Sequence, residues 1–255
     1  MIPIRDHNPS GRVPFVTYTL IAMNVLVFLS YWPGAAEPQI IAFFDRFALI
    51  PAGISRGENY ASFLTSAFLH GGWMHLGGNM LFLWIFGDNL EDEMGHLGFV
   101  GFYLTSAIGA ALLQYITAPY SPVPMVGASG AIAGVMGGYL LLYPKARVDV
   151  LFIFLIFFRV ITVPAFAMLG LWFAVQLIGG LGADATQGGV AYWAHAGGFI
   201  VGFALALPLW RRRGGADYWA RTAGQPAHPP AAPLRMPSGV PKVRRRKSRS
   251  KGPWG

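Results

Sequence analysis

Six apolar runs, at residues 14–32, 72–88, 97–117, 127–143, 161–180 and 191–210, constrain this chain of 255 residues more than any other feature. Each approaches the roughly 20 residues that a helix needs to cross a bilayer, where backbone polar groups have to find partners within the protein. Six spans return both chain ends to one side. The second run is the least obvious, because it contains His75, Gly77, Gly78 and Asn79, yet the apolar stretch 80–86 continues it. With 54% hydrophobic and only 12% charged residues, the composition excludes a soluble domain of this size. No cysteine is present, so disulfides and thiolate metal sites are excluded. Arg5, Asp6, Pro9 and Pro14 precede the first run, which shows no cleavable-signal pattern.

The net charge of +8 is concentrated in the tail. Residues 211–255 hold 12 of the 19 Lys and Arg against one acid, Asp217, whereas residues 1–210 hold 7 basic and 10 acidic residues. The basic cluster at 242–251 sits among Pro, Gly and Ser, a composition that cannot bury a core. It reads as a disordered tail attracted to anionic lipid, and nucleic acid is not the expected partner. Arg5, Arg12, Lys145, Arg147 and Arg211 to Arg213 fall on one side of a six-span layout, which the positive-inside rule makes cytoplasmic. One turn runs against that rule, since 88–96 carries Asp88, Glu91, Asp92 and Glu93 and no basic residue. The resulting division is a cytoplasmic N-terminus at 1–12, a membrane domain at 13–210 and a disordered basic cytoplasmic tail at 211–255. The positive loops and the short N-terminal extension point to a bacterial inner membrane.

Two segments resist a simple span. The stretch 33–71 is too long for a bare connection and is expected to carry structure of its own on the outer side. The stretch 150–158 is broken from the fifth span by Arg159 and Pro164; it reads as an interfacial segment of open conformation.

In this layout spans two, four and six enter from the outer side, which brings His70, His75, Asn79, Ser129 and His195 to one shallow depth. Ionisable and polar groups at such depth mark function. Ser129 is a poor nucleophile unless a base takes its proton, and His195 is the candidate. Gly127 and Gly130 flank the serine and permit a tight entry into a helix, whose free N–H groups suit an oxyanion. His75 and Asn79, four apart and on one helical face, offer side-chain donors to the same charge. Gly130, Gly134 and Gly138 on span four and Gly198 and Gly202 on span six form small-residue faces expected to touch. Neither Asp184 nor Asp149 is placed to orient His195, so a Ser–His dyad is expected, not a triad. His70 reads as a loop-supporting residue and Glu91 as a brace for a helix end. Taken singly, each of these residues has an ordinary structural role; their combination carries the reading.

The stretches Phe68-Leu69-His70-Gly71-Gly72-Trp73-Met74-His75-Leu76-Gly77-Gly78-Asn79-Met80, Gly127-Ala128-Ser129-Gly130-Ala131-Ile132 and Ala194-His195-Ala196-Gly197-Gly198, in this order, resemble the motifs of rhomboid intramembrane serine proteases. The resemblance implies an all-α membrane protein, a six-helix rhomboid bundle with a membrane-associated first loop at 33–71. It implies cleavage of peptide bonds in or near transmembrane segments of other membrane proteins, without cofactor or metal. By the same resemblance Ser129 is the nucleophile, His195 the base, and His75, Asn79 and the Ser129 N–H the oxyanion donors. His70 then supports the site, Glu91 braces the first loop and span five borders the substrate entry. Two departures stand out: Ala133 occupies the position four after the nucleophile, where many rhomboids stack an aromatic ring on the histidine, and the first loop lacks a Trp-Arg pair. The alternatives are a non-proteolytic rhomboid-like protein that binds transmembrane helices and a small transporter using His70, His75 and His195.

Overall fold

The computed structural model describes residues 2–154, 157–184 and 188–226. It is mainly helical. The first apolar helix, α1 (Phe15–Tyr31), is followed by a structured connection containing α2 (Glu37–Phe47), α3 (Pro51–Ser55), α4 (Ser62–Thr65) and a 3-10 turn at Ser66–Phe68. The long α5 (Trp73–Thr117) is two rods, because Gly95 adopts φ 70°, ψ 165° and interrupts it. Only glycine takes that conformation readily. The rods double back: His75 near the start of α5 lies against Gly127, and Ala110 near its end lies against Gly130. Helices α6 (Ser129–Leu142), α7 (Ala165–Gly182) and α8 (Tyr192–Arg212) complete the apolar set. Among the described residues α5, α7 and α8 are long and apolar enough to cross a membrane, while α1 and α6 are shorter apolar helices.

Helix α6 is the centre of the molecule. Every residue of it except Ser129 and Leu140 is buried, as expected for a helix that is apolar on all faces. Its contact with α8 is backbone against backbone. A methyl group added at Gly198 would lie 1.9 Å from the Gly130 carbonyl oxygen, and one at Gly202 would lie 2.1 Å from that of Gly134. Gly137 adds a backbone contact with Phe199, and Gly138 lies between Leu90 and Phe102 of α5 and Ala206 of α8. The expected meeting of the small-residue faces thus occurs through Gly130, Gly134, Gly198 and Gly202, with Gly138 opposite Ala206 and Gly137 as an additional close contact.

Helix α7 is attached far more lightly. Phe166, Leu171, Val175, Ile178 and Leu181 are exposed along it, and its contacts are mostly with α8, where Phe173 stacks on Phe199 at 4.5 Å.

The all-α expectation requires correction. Strands β1 (Ile2–Asp6), β2 (Arg147–Phe154) and β3 (Phe157–Pro164) form an antiparallel sheet in that order, with Val150 opposite Ile161. Residues 161–164, expected to begin the fifth span, belong to β3, and the helix starts after Pro164. The β-branched and aromatic content of 148–163 favours the pleated form, and Pro164 cannot continue a ladder. Asp149 ties the sheet together by accepting from Arg5 (2.7 Å) and Thr162 (2.6 Å) and by pairing with His7 (2.9 Å). Burial raises its pKa, but the hydrogen bonds from Thr162, His7 and Arg5 outweigh that and hold the carboxyl down at about 2. Asp6 is the opposite case: burial, with Asp88 nearby, raises it to about 7.

The acidic turn that ran against the charge rule is matched here by neighbours. Asp92 accepts from the Gly11 N–H and pairs with Arg12, Glu93 pairs with Arg213 and accepts from the Tyr143 hydroxyl, and Glu91 is buried beneath α1. The N-terminal strand, the turn near Gly95, the sheet and the end of α8 therefore share one end of the molecule. A second correction concerns the tail. Residues 211–226 are ordered: α8 runs through Arg212, and α9 (Ala216–Thr222) packs Trp219 on Trp210 at 4.9 Å. The basic cluster at 242–251 lies outside the described residues.

Candidate active site

The site forms at the other end, where the segment leading into α6 is irregular. Its backbone groups are satisfied by the first connection. Leu49 and Met125 exchange N–H and carbonyl bonds at 3.1 and 2.8 Å, Ala52 N–H donates to the Ser121 carbonyl at 3.0 Å, and Gly127 N–H donates to that of Ser66 at 2.9 Å. The 33–71 segment is thus a scaffold for the entry into α6. Gly127 has φ +129°, and a side chain there would lie 2.7 Å from His75 Nε2. Glycine is required twice over, by backbone conformation and by space.

Ser129 follows as the first residue of α6, at the positive end of the helix. Its Oγ lies 2.8 Å from His195 Nε2, one turn into α8. Gln114 on the second rod of α5 accepts from the Ala194 N–H at 3.2 Å and so caps the start of α8 beside the histidine. From the first rod, His75 Nδ1 accepts the Gly71 N–H at 3.3 Å, which leaves the proton on Nε2, the nitrogen facing Gly127 and Ser129. Asn79 lies one turn further along; its Nδ2 is buried and has no hydrogen-bond partner among the described residues. Buried amide donors are rarely left so, and Asn79 is among the residues that line a cavity of about 450 Å³. Ser129, His195, His75, Asn79, Trp172 and Met136 are among its walls.

The structure brings Ser129, His195, His75, Asn79, Gly127 and Gly130 to this one cavity or its edge. His70 stands behind it, stacked edge-on against His75 at 5.1 Å, with its own N–H and carbonyl bracketing the Tyr31 hydroxyl at 2.6 and 2.7 Å. Glu91 is at the far end of the molecule. Its carboxylate accepts from the Val16 and Thr17 N–H groups, each at 2.8 Å, and caps the N-terminus of α1. It braces a helix end, as its position suggested, and not the first loop, as the resemblance implied.

Two side chains of this site were missed by sequence reasoning. Gln176 Oε1 lies 2.8 Å from His195 Nδ1, and the Trp172 ring packs over the imidazole with centroids 5.6 Å apart. Both come from α7. Gln176 is the lone amide in the apolar sequence Ala165–Gly182, which was the available signal.

A hydroxyl hydrogen-bonded to an imidazole, next to two inward donors and a helix N-terminus, has the parts needed for acyl transfer. Comparison with known proteins agrees with this arrangement at the level of family. A model of the rhomboid domain matches residues 57–212. Rhomboid protein 1, mitochondrial, of Saccharomyces cerevisiae is 31% identical over 191 residues, covering 73% of this chain and 51% of that protein. Rhomboid protease GluP of Bacillus subtilis is 32% identical over 205 residues, covering 80% of this chain and 36% of that one. The putative rhomboid protease YdcA of the same species is 32% identical over 127 residues, half of this chain and 61% of the relative. The chain therefore spans about half or less of the length of the first two of these relatives. It belongs to the rhomboid family, whose members are membrane helical bundles.

Proposed function

We propose that this protein is an intramembrane serine protease that hydrolyses peptide bonds in or near the transmembrane segments of other membrane proteins. The observation that carries the reading is the 2.8 Å contact between Ser129 Oγ and His195 Nε2 in a cavity that His75 and Asn79 also line. Relatives named as rhomboid proteases support it.

His195 Nε2 takes the Ser129 proton as Oγ bonds to the scissile carbonyl carbon. The carbonyl π pair moves to oxygen, and the Ser129 N–H, Asn79 Nδ2 and His75 Nε2–H stabilise the charge. Collapse expels the amine, which takes the proton from His195. Water then attacks the acyl-serine, giving one proton to His195, which passes it to the departing Ser129 oxygen; the carboxylic acid leaves and loses its remaining proton to solvent. A substrate helix has to open locally, since its carbonyls are otherwise held in internal bonds. Cleavage is therefore expected near the outer ends of substrate spans, at small or helix-weakening residues.

In this reading α1, the two rods of α5, α6, α7 and α8 are the six spans, and the end bearing Arg5, Arg12, Lys145 and Arg211 to Arg213 faces the cytoplasm. Helix α6 has 14 residues, about 21 Å of helix against a hydrocarbon layer of about 30 Å. Ser129 then sits below the outer surface, and the irregular segment above it is tolerated because the 33–71 scaffold pairs its backbone. The test is cleavage of a single-span substrate in proteoliposomes. Wild type is expected to cut it and Ser129→Ala to leave it intact at equal expression; cleavage retained by the variant would refute the reading.

A further inference from the structure

Resting on the proposed peptidase reading, we infer that Gln176 is the positioning residue for His195, a neutral amide standing where many serine hydrolases use a carboxylate. Its action follows from two hydrogen bonds. Gln176 Nε2 donates to the Trp172 carbonyl one turn earlier on α7, at 3.3 Å. That bond commits the NH2 end of the amide to the helix and turns Oε1 toward His195 Nδ1, 2.8 Å away. An amide oxygen can only accept, so Nδ1 has to carry the proton. Nε2 is then left with its lone pair facing the Ser129 hydroxyl at 2.8 Å, the one tautomer in which this imidazole can act as a base.

Trp172 adds the second restraint. It lies four residues before Gln176, on the same face of α7, and its ring packs against the imidazole at an interplanar angle of 35° and against Phe199 with centroids 6.3 Å apart. On α6 the residue one turn beyond Ser129 is Ala133, fully buried and without a ring to stack on the imidazole. The packing and the hydrogen bond that fix His195 thus both come from α7, and none of the orienting groups is charged. His75 is the one other titratable side chain bordering this cavity among the described residues.

The test compares Gln176→Leu, the size-matched Gln176→Met and Gln176→Glu in cleavage of a single-span substrate in proteoliposomes, with pH–rate profiles and thermal stability. Leu and Met are expected to lower kcat by roughly 10²-fold with little change in KM, the size of loss that follows from a misplaced reacting group. Glu is expected to restore most of kcat and to move the acid limb of the profile to higher pH, because a carboxylate beside Nδ1 favours the imidazolium. A role in packing alone predicts lower stability in all three and an unmoved profile. Should Leu prove too unstable to assay, Met and Glu carry the same comparison. Full kcat in Leu or Met, or a Glu variant as slow as Met with the wild-type profile, would overturn the inference while leaving the peptidase reading intact. A wild type that neither cleaves nor reacts with a fluorophosphonate would instead sink the reading beneath it.

Discussion

The base of this site is held by two contacts of opposite character. Where α6 meets α8, carbonyl oxygens approach glycines so closely that even a methyl group has no room. Where α7 meets α8, the contact is made by side chains, namely Gln176, Trp172 and Phe173, on a helix whose other faces are exposed. The first contact sets the distance between Ser129 and His195 and has no freedom to change it. The second sets the orientation of His195 and is adjustable. Close-packed backbone transmits strain, whereas side chains can hop between rotamers. A protease that has to admit a helix beside its site gains from confining that adjustability to one helix.

The contrast can be broken from either side. The largest effect is expected from Gly198→Ala, whose methyl group would overlap the Gly130 carbonyl, with 1.9 Å between them. Overpacking of this kind costs about 1–3 kcal/mol, and separation of the dyad should remove nearly all cleavage. Thermal unfolding and proteoliposome cleavage would measure both. Next in size is Asn79→Ala, which removes one oxyanion donor; kcat should fall about 10²-fold with KM little changed and stability retained. Gly179→Ala probes the adjustable contact. Its methyl group would meet the Tyr192 ring at 2.5 Å, and a ring can turn aside where a backbone cannot. Stability should fall less than in Gly198→Ala while kcat still drops several-fold, and equal destabilisation of the two variants would erase the distinction drawn here.

The smallest effects belong to the opposite end, where two carboxyls are shifted in opposite directions. Asp149 is held at about 2, below its ordinary 3.8. Its contribution to stability is present above 3.8 and is lost as pH falls through 2, so Asp149→Asn should lower the melting temperature at pH 6 and differ little near pH 2. Asp6 is raised to about 7 from 3.8. Its contribution is full below 3.8 and is lost as pH rises through 7, so Asp6→Asn should flatten the decline of melting temperature between pH 5 and 8. Melting curves across pH, with both variants, check the two signs.

The pairing of Ser129 with His195 was legible because a serine and a histidine are conspicuous at the starts of apolar runs. The glycine faces were legible for the same reason, although Gly137, off the predicted row, also packs its backbone against α8. Other features were hidden by their composition. The run 148–163 is apolar enough to be read as membrane helix or interface, whereas it folds back on itself as β2 and β3, with Ile2–Asp6 added as the third strand. Gln176 was an isolated amide with no motif around it; its meaning depends on α7 crossing α8 next to His195. Trp172 reads as one more apolar residue until its ring is found 5.6 Å from the imidazole. Glu91 was legible as a brace for a helix end, but the N–H groups it accepts from, those of Val16 and Thr17, lie more than 70 positions away. Residues 211–226 looked like the start of a disordered tail because charge dominates them; Trp210 and Trp219 supply the packing that orders them.

The most direct measurement is covalent labelling of the protein in membranes with a fluorophosphonate, followed by mapping of the modified residue by mass spectrometry. Modification of Ser129 alone, lost in His195→Ala and weakened in Gln176→Met, is the predicted result. Labelling at another residue, or at Ser129 with undiminished rate in His195→Ala, would contradict a hydroxyl activated by that imidazole.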